Sequence, residues 1–187
     1  KEDGLLAISY TGGDTIFSKE LVTTQAGLLA PQAIVELPHA HIFIGSDNVY
    51  HFDGSTVTPI GDAIKDYMIN ILKPSDTLKI FGYYNKKTGD VVFSFDSTVA
   101  HDNNRDRAIT YNTGTKTWSV RDMNMTAIGE YSQVSERRID DVHTPINEMD
   151  VMIDSAAYLS NSIITLGGDA SGKLYRSEGY ADSRGDY

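Results

Sequence analysis

The sequence predicts an all-β chain of antiparallel hairpins, repeated as β-propeller-like blades, with one inserted amphipathic helix. Three observations carry this prediction. Short runs with a period of two, bounded by Gly, Pro, Asn or Asp, recur along most of the chain. Only one stretch has helical spacing. Tyr50, Tyr111 and Tyr175 each follow a short apolar run and precede a polar turn, at intervals of roughly 60 residues.

The elements follow in order. "LLAISY" (5–10) alternates as a strand, and "TGGD" (11–14) is its turn. Residues 15–22, "TIFSKELV", form the return strand. Pro31 precedes a strand over 33–37, which Pro38 stops. "HIFIG" and "NVYHF" flank Ser46-Asp47 as a hairpin, whose inner face holds Ile42, Ile44, Val49 or Tyr50 according to register. Asp53-Gly54 marks the next turn. Residues 62–72, "DAIKDYMINIL", place Ile64, Tyr67, Met68, Ile71 and Leu72 on one helical stripe. Asp62 is positioned to cap this helix and Pro74 to end it.

Residues 77–95 read as a hairpin turning at Lys86-Lys87-Thr88-Gly89. A polar loop then leads to "RAITYNTGTKTWSV" (107–120), the clearest hairpin and the bearer of the only tryptophan. Its strand puts Ala108 and Thr110 on one face and Ile109 and Tyr111 on the other. Asn112 and Gly114 supply the turn, because both tolerate positive φ, and Trp118 sits on the return strand. After a strand over 125–131, residues of about 132–160 lose periodicity and turn acidic. A final hairpin spans 162–179. The whole chain, 1–187, reads as part of one β-propeller-type domain. Three units at this spacing are too few to close a ring of about 4–8 blades. Either further blades lie outside this sequence or the repeat is not a blade repeat. The opening at Lys1 and the closing "SRGDY" favour a piece of a longer protein.

Composition narrows the function. The chain has 187 residues, 40% of them hydrophobic, enough for a core. It has no cysteine, which removes disulfides and thiolate metal sites. A net charge of −10 argues against tight nucleic-acid binding, which needs a basic footprint. No run approaches the about 20 apolar residues of a membrane-spanning helix.

Candidate chemistry is thin. His39 and His41 form an H-x-H pair, but no third ligand lies nearby, and they read as surface histidines. "GGDASGK" (167–173) has the spacing of a phosphate loop. Leu174 stands where Ser or Thr is needed, and a strand follows in place of a helix, so it reads as a β-turn. The acidic loop holds Asp140, Asp141, Glu148, Asp150 and Asp154, which could gather a hard cation such as calcium. It lacks EF-hand alternation, and reads as a solvated or partner-facing loop. Asp140, Asp141, Glu148 and Asp150 are therefore candidate interface residues. Arg184-Gly185-Asp186 matches the integrin tripeptide by coincidence of composition. No nucleophile elbow, catalytic triad or arginine pocket is recognisable, so neither an enzyme nor a cofactor is expected.

Several stretches resemble known families. Thr110, Asn112, Gly114, Thr117 and Trp118 are similar to the Asp box of sialidase-type propellers, a structural turn, with Asn in place of Asp. "GLLAPQAIVELPHAHIFIGSDNVYHFDGSTVTPIGDAIKDYMINIL" resembles a pattern of phage tail proteins: a strand start, a hairpin ending in Asp-Gly, then an amphipathic helix. "YYNKKTGDVVFSF" with "RAITYNTGTKTWSVRDM" looks like their next blade, and "GGDASGKLYRSEG" like the strand pair that follows. The resemblance, over residues 15–180, is to the β-propeller virion proteins of short-tailed phages, of the tail nozzle (tail tubular) type.

It implies a non-enzymatic homo-oligomeric ring in the virion, touching neighbouring tail or head-to-tail adaptor proteins around the channel through which DNA leaves. Tyr50, Asp53, Gly54, Tyr111, Asn112, Gly114, Trp118 and Tyr175 are then turn and blade residues. The alternative is a carbohydrate-binding or sialidase-like propeller acting in receptor recognition, and a third is an adhesin-like β domain.

Overall fold

Strand alternation gives every strand two faces, and the middle strands of the two four-stranded sheets bury residues on both. A computed structural model of the chain describes residues 4–13, 16–99, 105–133 and 162–176. The all-β expectation holds: the described strands form four antiparallel sheets, with one α-helix among the described residues. The chain divides into two compact units, Lys1–Thr126 and Ala127–Tyr187.

The first unit opens with a hairpin of β1 (Leu5–Tyr10) and β2 (Phe17–Thr23). A four-stranded meander follows: β3 (Ile34–Leu37), β4 (Ala40–Ile44), β5 (Val49–Phe52) and β6 (Val57–Pro59). After helix α1 (Lys65–Ile71) and a 3-10 turn (Pro74–Lys79) comes a second meander. It comprises β7 (Phe81–Asn85), β8 (Asp90–Phe95), β9 (Arg107–Asn112) and β10 (Thr117–Asp122), paired in sequence order. The second unit holds β11 (Ala127–Gln133), β12 (Ser162–Gly168) and β13 (Leu174–Arg176), again in sequence order.

Register decides which residues enter the core. Phe43 pairs with Tyr50 and Ile44 with Val49. Ile42, Ile44 and Val49 therefore face the main core, while Phe43 and Tyr50 stack on the opposite face in a smaller cluster with Ala26. In the second meander Val91, Phe93 and Phe95 of β8 join Ile109 and Tyr111 of β9 in the same main core. Ala108 and Thr110 are buried on the other face, as the alternation requires.

The helical stripe packs as its spacing predicts, with Ile64 and Met68 buried and Tyr67, Ile71 and Leu72 beside them. Its start is later than residue 62. The Gly61 carbonyl accepts from the amides of Ile64 and Lys65, so residues 62–64 form a turn. Asp62 does not cap; its Oδ1 accepts instead from Asn48 Nδ2 at 3.0 Å and Lys65 Nζ at 3.3 Å. Lys73, before Pro74, is extended, which ends the helix as expected. Residues 77–79 belong to the 3-10 turn, not to the following strand, because Pro74 starts a tight helical turn.

The first strands of the two meanders lie side by side, with the Gly82 amide donating to the Gln32 carbonyl at 2.8 Å. Gly82 is required there. A Cβ would run into Val35 Cγ2 and come within 2.9 Å of Phe93 Cε1.

Candidate functional site

Four hairpin ends are closed by one device, an Asp or Asn side chain folded over the turn it begins. At the β5–β6 end, Asp53 Oδ1 accepts from the amides of Ser55 (2.9 Å) and Thr56 (2.7 Å) and from Ser55 Oγ. Gly54 takes a positive φ of 100°, so the Asp-Gly pair acts as the sequence indicates. At the β7–β8 end, Asn85 Oδ1 accepts from the amides of Lys87 and Thr88, and Gly89 has φ 73°.

At the β9–β10 end, Asn112 Oδ1 accepts from the amides of Gly114 (3.0 Å) and Thr115 (2.9 Å) and from Thr115 Oγ1. Here the expected backbone is corrected. Neither Asn112 nor Gly114 has positive φ; Lys116 does, at 58°. The Asn side chain supplies the closure, so the glycine is not needed for its left-handed freedom. Asn112 Nδ2 reaches Asp90 Oδ1 at 2.8 Å and the Thr88 carbonyl at 3.2 Å, joining adjacent turns at one end of the sheet.

At the β12–β13 end, Asp169 Oδ1 accepts from the amides of Ser171 and Lys173 and from Ser171 Oγ, with Gly172 at φ 82°. Tyr175 Oη donates to Asp169 Oδ2 at 2.8 Å. Hydrogen bonds from Ser171, Lys173 and Tyr175 hold the Asp169 carboxyl down to about 2, and the bond to Asp169 raises the Tyr175 phenol. The stretch "GGDASGK" is a turn between strands, not a phosphate loop.

Tyr50 is used similarly. Its hydroxyl donates to Asp47 Oδ1 at 2.9 Å, clamping the β4–β5 turn. Burial first, then Asp47, pushes its phenol up to about 12. Tyr111 is different: it lies in the main core ahead of its turn, and burial raises its phenol. Aligned on their turn residues Asp53 and Asn112, Tyr111 matches Phe52 and not Tyr50. The tyrosine spacing therefore does not mark equivalent positions.

Trp118 pairs across the ladder with Tyr111, ring centroids 4.8 Å apart. Its Nε1 donates to the Ile60 carbonyl at 2.9 Å, just beyond β6. The last strand of the second meander is thus tied to the end of the first.

One cluster escaped sequence reasoning. Asp96, whose side chain is fully buried at the end of β8, lies 3.7 Å from both Lys73 Nζ and Lys79 Nζ. Arg105 stacks over the Phe81 ring at 5.0 Å and donates to the carbonyls of Lys79 and Thr126. Burial lowers its guanidinium pKa, while the Asp96 charge works the other way. Ser97 binds both oxygens of Asp106. These residues come from segments distant in sequence, so no local pattern announces them. They cross-link the 3-10 turn, β8 and the approach to β9.

His39 sits in a turn and His41 on β4, so the H-x-H pair does not share a strand. No group of three or more His, Asp or Glu that could hold a metal occurs among the described residues. No helix of the described residues is long and apolar enough to cross a membrane. Asp140, Asp141, Glu148 and Asp150, with Asp154 and Arg184-Gly185-Asp186, lie outside the described residues. No protein-family model and no curated protein sequence matches the chain.

Proposed function

We propose that the chain is a structural component of a phage tail, part of a propeller-type nozzle or head-to-tail ring that guides DNA exit through its subunit interfaces. The observation that carries this reading is the pairing of two consecutive four-stranded meanders. Their first strands, β3 and β7, are neighbours, and Trp118 ties the last strand of one to the end of the other. Four-stranded antiparallel sheets repeated in succession are the units from which propellers are built, which supports this reading. The turn chemistry at Asp53, Asn112 and Asp169 falls on the stretches that resemble the phage proteins. The net charge of −10 suits a wall past which DNA slides, because like charge disfavours sticking.

Peptide mass spectrometry on purified virus particles from the source tests the reading. The expected result is these peptides within a tail protein at about six to twelve copies per particle, as a closed symmetric ring needs. Their absence from particles overturns it. Glycan binding or sialidase activity by the purified chain is expected to be absent, and a positive result puts the receptor-recognition reading first. Within a particle, exchanging channel-facing acids for lysine should slow DNA delivery.

A further inference from the structure

Lysines gather at one end of the second meander. The β7–β8 turn carries Lys86 and Lys87, the β9–β10 turn carries Lys116, and all three are exposed. The two turns are neighbours because Asp90 pairs with Asn112 across the β8–β9 ladder. They are also joined directly: the Thr113 amide (2.9 Å) and Oγ1 (2.8 Å) both donate to the Gly89 carbonyl, beside the Asn112 bond to Thr88. Four strands side by side make this end about 14 Å wide. Residues 86–89 ("KKTG") and 113–117 ("TGTKT") contain no acid and no large apolar side chain. The adjoining carboxylate, Asp90, accepts from Asn112 Nδ2. Among the described residues, neither Lys87 nor Lys116 is in an ion pair.

Lys116 is the one non-glycine among the described residues with positive φ, at 58°. A lysine there carries backbone strain that Gly or Asn would avoid. Gly114 stands two residues earlier, where no positive φ needs it. Strain held at an exposed turn points to a use for the side chain. We infer that this end of the sheet is a contact for the phosphate backbone of double-stranded DNA, each of the three lysines meeting one phosphate.

Residue chemistry selects DNA over an acidic protein. Protein interfaces are depleted in lysine and anchored by Tyr, Trp and Arg, whereas this rim offers only Lys, Thr and Gly. Lysine is a hydrated point charge that meets a phosphate at no fixed angle, so the contact tolerates a strand moving past it. Over about 14 Å one strand of a duplex presents about four phosphates, enough for three lysines. The net charge of −10 means that the acid excess elsewhere in the chain repels the duplex, which keeps the contact local and weak. The inference deepens the DNA-guiding reading and rests on it for its setting, while binding itself is a property of the purified chain.

Fluorescence anisotropy of a labelled random-sequence duplex with the full chain, from about 20 to about 150 mM salt, tests this. The plot of log K against log salt should have a slope of about −2.7, from three phosphates at about −0.9 each. Lys87→Gln combined with Lys116→Gly should bring the slope to about −0.9 and weaken binding at the lowest salt at least about tenfold. Lys116→Gly alone should weaken binding while the unfolding midpoint holds or rises, since glycine relieves the strained φ. A lysine with only a structural role would not separate the two. Lys19→Gln, exposed on β2, should leave slope and affinity unchanged. No binding at about 20 mM salt overturns the inference. So does a slope that the rim variants leave unchanged, or that Lys19→Gln lowers equally. Binding of polyglutamate that the rim variants abolish, with no binding of DNA, gives the rim an acidic protein partner and also refutes it. Failure here leaves the particle mass spectrometry untouched, and absence of the peptides from particles leaves the salt slope standing.

Discussion

The β8–β9 pair and the β1–β2 hairpin share an alternation rule but have opposite surroundings. In β8, Val91, Phe93 and Phe95 point into the main core, and Val92 and Ser94 are buried on the other side. In β1 and β2, equally apolar positions face outward, with Phe17 61% exposed. Alternation fixes which residues share a face. It does not say whether anything lies against that face, because covering depends on elements distant in sequence. The difference also locates stability, which lies in the first region, where side chains are buried on both faces.

Truncating one phenylalanine in each region gives the largest contrast. Phe93→Ala should cost about 3–5 kcal/mol, since Phe93 is fully buried in the main core and its truncation leaves a cavity. Phe17→Ala should stay within about 0.5 kcal/mol for the isolated monomer. Urea unfolding of dilute protein measures both. A loss at Phe17 comparable with that at Phe93 would mean that the hairpin face is covered within the monomer.

A smaller effect tests the turns. Asn112→Ala removes the acceptor for two amides and one hydroxyl, and the donor to Asp90. It should cost about 1–2 kcal/mol. Gly114→Ala should cost less than Asn112→Ala, because Gly114 lacks positive φ, though a Cβ would sit 3.3 Å from Asn112 Oδ1. Trp118→Phe keeps the ring against Tyr111 but leaves the Ile60 carbonyl without its donor. About 1 kcal/mol is expected. A double-mutant cycle of Trp118→Phe with Asn112→Ala should be additive if the staple and the turn act independently.

Much of the architecture was legible because its signals are local. Strand β1 falls on the predicted residues 5–10, and the helical stripe at Ile64, Tyr67, Met68, Ile71 and Leu72 packs as read. Asp53-Gly54 and Asn112 announced their turns through chemistry that acts within four residues. The failures share a cause. Asp62 looked like a cap, but Asn48, fourteen residues back, holds its oxygen. The Asp96, Lys73, Lys79 and Arg105 cluster and the Trp118–Ile60 bond exist only once separate segments meet. The tyrosine repeat misled because strand position, not tyrosine count, sets equivalence between sheets.

The smallest effect expected is a change with pH at the β12–β13 turn, which compares an acid-closed turn with the Asn-closed turn at Asn112. The folded Asp169 carboxyl sits at about 2, below its ordinary 3.8, because Ser171, Lys173 and Tyr175 donate to the ionised form. A carboxyl lowered in the folded state contributes stability above its unfolded value, which is lost as pH falls through the folded value. The window is therefore from about 4 down to about 2. Amide protection at Ser171 and Lys173 should fall across that window, with an Asp169 carboxyl midpoint near about 2 by NMR. Gly114 and Thr115, whose acceptor is the uncharged Asn112, should show no such local transition. Asp169→Asn should remove the pH dependence and keep the turn, because Asn retains the Oδ1 acceptor. Persistence of the transition in that variant would assign it to another carboxylate.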